Sequence, residues 1–257
     1  MLVVKDGKDK LVFVHLPKCA GTFVTKALLL MYPKSYRPLV YKDGSSPNHI
    51  PHYKVFNTKG KLASLRVLPS FGVIRNPWDY YVSLYYFTRE RADAAWAAGT
   101  IYNRLGRPKT FEVYMRKLFS NTIIKEGEAE KPHVQSERMY KLNAGGLTVM
   151  YLDKFFKKGV FNNSIDYIGR NHKKLISIDR VIKCEDLHNE LYDVLVSYNC
   201  KHKVLATKNK FIRFVKNKEI WRNPSKRGPY RELYTDDLKD MVREKDRLII
   251  DKYGYEF

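Results

Sequence analysis

His15-Leu16-Pro17-Lys18-Cys19-Ala20-Gly21-Thr22-Phe23-Val24-Thr25-Lys26-Ala27-Leu28-Leu29-Leu30-Met31-Tyr32 is the stretch that decides how this chain reads. The apolar run Leu11-Val12-Phe13-Val14 before it has the composition of a buried strand, and the residues from Thr22 to Tyr32 read as a helix. Strand, tight loop and helix start leave the backbone N–H groups of Ala20, Gly21, Thr22 and Phe23 without carbonyl partners in a preceding turn. Those donors, with the positive end of the helix dipole, form a cradle for a phosphate-like anion. Lys18 adds a mobile positive charge. Gly21 has no Cβ and so allows a close approach of the backbone.

The spacing differs from the triphosphate-binding loop G-x-x-x-x-G-K-[ST]. Lys18 precedes the glycine, there is no first glycine, and no Lys-Ser/Thr pair closes the loop. The segment reads as a phosphate loop built for another nucleotide, with an ordinary strand-to-helix turn as the alternative.

The pattern recurs at Phe71-Gly72-Val73-Ile74-Arg75-Asn76-Pro77-Trp78-Asp79. Phe71 to Ile74 reads as a buried strand, Asn76 as an N-cap and Pro77 as the first helical residue. Asp79 falls in the first turn, where a carboxylate complements the dipole. Arg75 is then at the carboxyl end of a strand, where open α/β sheets bind ligands. Ser83 lies about 10 Å further along the helix axis. A guanidinium and a hydroxyl so placed can grip a second phosphate. The plainer reading is a buried structural arginine and a helix-surface serine.

In this order, Pro17-Lys18-Cys19-Ala20-Gly21-Thr22 and Arg75-Asn76-Pro77-Trp78-Asp79 through Ser83 resemble the two nucleotide-binding signatures of sulfotransferases of the carbohydrate type. These enzymes use 3′-phosphoadenosine 5′-phosphosulfate (PAPS). The resemblance implies that Lys18, Ala20, Gly21, Thr22 and Phe23 hold the 5′-phosphosulfate, and that Arg75 and Ser83 hold the 3′-phosphate. Arg180-Val181-Ile182-Lys183-Cys184-Glu185-Asp186-Leu187 resembles a later strand and Glu-Asp-Leu segment of the family. Asn223 to Thr235 resembles its late basic loop, which implies nucleotide contacts from Lys226 and Arg227. Residues 91–179 match no motif.

The implied fold is α/β: one phosphate-loop-like sulfotransferase domain over 1–257, its central sheet mainly parallel and flanked by helices. A helical insertion around 91–179 is the expected place for shaping the substrate cleft. The elements read as strand 11–15, helix 22–32, a strand near 53–57, strand 71–75 and a long helix from Pro77 towards Ala98. Helix 110–119, further helices between 134 and 158, strand 180–184, helix 186–198, a basic loop and a terminal helix from Asp236 to Tyr253 complete the pattern.

Sulfuryl transfer to a hydroxyl needs positioning, charge stabilisation and a base. Lys18 suits the bridging oxygen. His49 is the first choice of base and His52 the second, since family relatives place a histidine between the two motifs and an imidazole titrates near neutrality. Ordinary loop histidines are the alternative. The scheme needs no metal, and the sequence shows no metal-ligand cluster. Cys19, Cys184 and Cys200 fit neither a metal nor a disulfide pattern, and Cys19 reads as structural.

Net charge is +21 over 257 residues, which favours anionic partners. The expected acceptor is a glycan or another hydroxyl compound. Lys201 to Arg222 interleaves Phe211, Phe214 and Trp221 with cations, as a nucleic-acid groove does, but no nucleic-acid-binding motif accompanies it and no specific nucleic acid is expected. Tyr80, Tyr81, Tyr85, Tyr86 and Trp96 read either as sugar platforms or, at helical spacing, as core. No apolar run approaches the length of a membrane span, and Met1 to Lys10 is too polar for a signal peptide. A cytoplasmic or otherwise soluble protein is therefore expected. A small-molecule kinase on a related phosphate-loop fold and a non-catalytic polyanion or nucleic-acid binder are the competing functions. Missing Lys-Ser/Thr closure counts against the kinase, because magnesium would lack its usual hydroxyl ligand.

Overall fold

A computed structural model describes residues 1–37, 67–90, 110–120, 134–217, 220 and 227–257. β1 (Leu2–Asp6) and β2 (Lys8–Val14) form a hairpin through Gly7, whose φ of 72° is a left-handed turn that glycine takes without strain. Along the chain follow α1 (Gly21–Met31), β3 (Ser70–Ile74), α2 (Pro77–Glu90), α3 (Phe111–Phe119), α4 (Val134–Leu142) and α5 (Gly146–Phe155). Then come α6 (Ile165–Arg170), α7 (His172–Leu175), β4 (Arg180–Lys183), α8 (Leu187–Ser197), α9 (Lys208–Val215), α10 (Asp236–Lys245) and α11 (Arg247–Tyr253). The strand expected at 53–57, the continuation of α2 towards Ala98 and Trp96 lie outside the described residues.

These elements fall into two compact units. One comprises Met1–Arg75, Asp153–Val160 and Lys173–Pro224; the other comprises Asn76–Leu152, Phe161–His172 and Ser225–Phe257.

The first unit carries the sheet, in the order β1-β2-β3-β4. β1 and β2 pair antiparallel, while β2–β3 and β3–β4 are parallel. The mainly parallel sheet is thus present among the described strands, and β1 is an addition to the expected set. Leu2, Val3 and Val4 are fully buried although Lys5, Asp6, Lys8, Asp9 and Lys10 give the segment its polar look. α1 buries Gly21, Val24, Ala27, Leu28 and Met31, the stripe an amphipathic helix presents to a core. α8 does the same with Leu187, Leu191, Val194 and Leu195. Ser70 donates both its N–H and its hydroxyl to Asp179, at 2.7 Å each, fixing the start of β3 beside that of β4. The stretch expected as a basic loop contains α9, which buries Phe211 and Val215.

The second unit is built on α2, with Trp78, Tyr80 and Tyr81 wholly inside and Tyr85 nearly so. These aromatic side chains are core, not platforms for sugar rings. The terminal helix expected as one piece is two, interrupted at Asp246 (φ −110°, ψ 22°). Asp246 is fully buried and accepts from the Thr148 N–H (2.9 Å), the Thr148 hydroxyl (2.7 Å) and the Tyr81 hydroxyl (2.6 Å). Thr148 is the third residue of α5, so this carboxylate caps the start of a helix far away in sequence.

Candidate functional site

The loop from His15 to Ala20 leaves the carboxyl end of β2 and turns into α1. Two non-glycine residues in it, Lys18 (φ 64°) and Ala20 (φ 55°), are left-handed and flank Cys19. Left-handed backbone at non-glycine residues costs on the order of 1 kcal/mol each, and between the two the Cys19 N–H donates to the Leu16 carbonyl at 3.3 Å, closing a turn within the loop. Ala20 is the N-cap and offers no side-chain cap, and no acidic residue sits in the first turn of α1. Neither a side-chain cap nor a first-turn acid of α1 competes with an anion for those helix-start donors.

His15 decides the fit of this loop. A Cβ on Gly21 would fall inside the His15 imidazole, so glycine is required here because the ring occupies that space. Gly21 thus serves the packing of His15 as well as the close approach of a ligand. Phe13 stacks near the same ring, with centroids 6.1 Å apart. β3 runs parallel to β2, so Arg75 emerges at the same end of the sheet as the loop. Its Nη1 donates to the Lys18 carbonyl at 3.1 Å, tying the loop to the end of β3. Cys19 points inward and is fully buried. Burial, reinforced by Cys184, pushes its thiol well up, and the opposing pull of Arg75 and Lys18 is smaller. It is a neutral structural thiol, as expected. Cys184 begins a short turn after β4 and is half-buried, not a strand residue.

His188, on α8, belongs to no motif in the sequence. The fold sets its ring 5.5 Å from that of Phe23 in the first turn of α1. Burial and then the charge of Lys216 push its pKa down. The Glu-Asp-Leu segment just before it was the one sequence signal pointing to this region.

The second motif continues in the other unit. Asn76 caps α2 as expected, its Oδ1 accepting from the Trp78 N–H at 3.0 Å. Ser83 is 8% exposed, and its hydroxyl makes no hydrogen bond among the described residues. At 8% exposure it is not a serine of the open helix surface. Asp79 in the first turn of α2 accepts an ion pair from Arg227 (2.5 Å), with both side chains largely covered, and Arg227 also donates to the Asp79 carbonyl at 3.3 Å. The Tyr234 hydroxyl donates to the Trp78 carbonyl at 2.9 Å. His49, His52 and Lys226 lie outside the described residues.

A strand delivering an uncapped, acid-free helix start, with an arginine from the next parallel strand bound to its loop, makes this end of the α/β sheet the candidate site. The chain belongs to the Sulfotransferase family, whose model matches residues 2–250. It is therefore an enzyme of sulfuryl transfer. The match runs through residues 91–179, where no motif was legible, and it sets the kinase reading aside. No curated protein matches the sequence. No helix among the described residues is long and apolar enough to cross a membrane.

Proposed function

We propose that this sulfotransferase takes PAPS as donor and an acceptor hydroxyl of a carbohydrate, with a histidine as base. The observation that carries the donor assignment is the start of α1, which has neither a side-chain cap nor a first-turn acid, with the Arg75 contact to the Lys18 carbonyl beside it. Lys18 and the N–H groups of Ala20, Gly21, Thr22 and Phe23 would hold the 5′-phosphosulfate. Arg75, at the end of β3, and Ser83, on α2, would hold the 3′-phosphate. Lys226 and Arg227 would close the late basic loop over the nucleotide, with Asp79 holding the Arg227 guanidinium in place. Residues 91–179 would shape the acceptor cleft within one sulfotransferase domain.

The donor, when bound, supplies a sulfuryl group attached through a phosphosulfate oxygen. The protein orients that group and excludes competing charges. Lys18 stabilises negative charge developing on the departing phosphate oxygen. His49, or His52 in its place, takes the acceptor proton as the new O–S bond forms and the old S–O bond breaks.

Titration calorimetry of 3′-phosphoadenosine 5′-phosphate (PAP) in EDTA tests the assignment with wild type, Arg75→Ala and His49→Ala. Tight binding by wild type and His49→Ala, lost in Arg75→Ala, is expected. Equally weak binding by all three would overturn it.

A further inference from the structure

Arg227 meets Asp79 at the start of α2, but the stretch that carries it has little structure of its own. Between Arg227 and Tyr234 the backbone makes a single 3₁₀ turn, Tyr230–Leu233, and Gly228, Pro229, Arg231 and Glu232 are exposed. A segment with so few buried contacts opens at low cost unless something outside it holds it down.

The holding residues follow α11. Gly254, at φ 61°, ends that helix in the left-handed conformation, and Tyr255 after it is buried. The Glu256 carbonyl then accepts from the Asn76 Nδ2 at 2.9 Å, while Asn76 Oδ1 caps α2. One residue on, the Phe257 ring stands against three others. Its centroid is 5.6 Å from that of Trp78, 5.8 Å from Tyr230 and 5.5 Å from Tyr234, each pair near perpendicular, the favoured edge-to-face arrangement. The Phe257 carbonyl also accepts from Arg231 Nη2 at 2.8 Å, and Tyr234 donates to the Trp78 carbonyl. Trp78 belongs to the first turn of α2 and is the chain neighbour of Asp79; Tyr230 and Tyr234 flank the 3₁₀ turn beyond Arg227. One aromatic ring therefore joins the segment that carries the guanidinium to the turn that carries its carboxylate.

We propose that Phe257 is a positioning residue for the donor: it locks residues 227–234 onto the first turn of α2 and so sets the Arg227 guanidinium for the nucleotide. This role rests on the reading of Arg227 as a nucleotide contact. Phe257 acts through Arg227 and touches no reacting atom.

Two measurements test it, PAP titration calorimetry and amide hydrogen exchange. Phe257→Ala is expected to weaken PAP binding about tenfold, the value of about one to two lost ring pairs, and Phe257→Tyr to restore it to within about twofold. Phe257→Leu, which keeps apolar bulk without a ring, takes the place of the alanine variant if thermal melts show that one unfolded. In an Arg227→Gln background the Phe257→Ala change is expected to cost less than about twofold more, because its effect runs through Arg227. The Glu232 and Tyr234 amides, bonded to the Pro229 and Arg231 carbonyls, should exchange at least about tenfold faster in Phe257→Ala. Unchanged PAP affinity in Phe257→Ala, no rescue by Phe257→Tyr, or losses that simply add in the double variant would each overturn the role. Faster exchange in Phe257→Ala, in a protein whose wild type does not bind PAP, would uphold the lock on residues 227–234 and remove the donor reading.

Discussion

Replacing Asp246 by Asn should stabilise the protein progressively, relative to wild type, as pH rises. Burial raises the Asp246 carboxyl from 3.8 to about 6, against the opposing effect of its bonds from Tyr81 and Thr148. Its folded-state pKa lies above the unfolded value, so the folded protein keeps a proton that the unfolded chain has already lost. The associated stability is fully present below about pH 3.8 and is lost as pH rises through about 6. A shift of about 2.2 units at 1.36 kcal/mol per unit corresponds to about 3 kcal/mol. Asn never ionises but keeps an oxygen for the Thr148 N–H. Urea unfolding of Asp246→Asn and wild type, followed by tryptophan fluorescence at half-unit steps of pH, should show their difference climbing by about 3 kcal/mol between about pH 3 and 8 and levelling off. Taking the difference cancels the other carboxylates. A difference that stays flat within about 0.5 kcal/mol, or that falls with pH, would refute the claim that burial outweighs the three donors.

His172 should give the opposite sign in the same window. Its Nε2 lies 2.6 Å from the Tyr151 hydroxyl, and burial, with Lys252, lowers its pKa from 6.5 to about 4. Its stabilisation is present above about pH 6.5 and is lost as pH falls through about 4, so the His172→Gln difference from wild type should decline as pH rises in the same urea titration. Gly21→Ala must expel the His15 ring, and a loss of about 1–3 kcal/mol with weaker PAP binding is expected. The double variant His15→Ala/Gly21→Ala should recover most of the lost stability; thermal melts showing no recovery would mean that His15 is not the obstacle.

What the sequence disclosed was local, and what it hid was long-range. The strand, loop and helix around Lys18 were legible because apolar runs and a glycine at a helix start are short-range signals, and the Asn76 cap formed with Trp78 as its position implied. β1 escaped because its buried part, Leu2 to Val4, is only three residues long, although Asp6-Gly7 is a hairpin dipeptide. The imidazole over Gly21 escaped because a glycine suits both a ligand and a ring, and the sequence alone offers no way to choose. His188 reaches α1 only through the order of the strands.

Asp246 shows why such features resist reading from sequence. Helix-capping rules look three residues ahead, yet the Thr148 N–H is 98 positions from Asp246 and the Tyr81 hydroxyl is 165 positions away. Within its own segment Asp246 looks like a surface acid, so the periodicity there suggested one helix instead of two. A Cβ on Gly145 would collide with the Asp246 carboxylate and the Tyr81 hydroxyl, so this glycine beside the start of α5 is what lets both reach it. Tyr81 stands on α2, the helix that carries Ser83. The carboxylate therefore helps fix the helix that would present a donor-binding hydroxyl, and Asp246→Ala, which removes the acceptor of three hydrogen bonds, should disturb that helix at every pH.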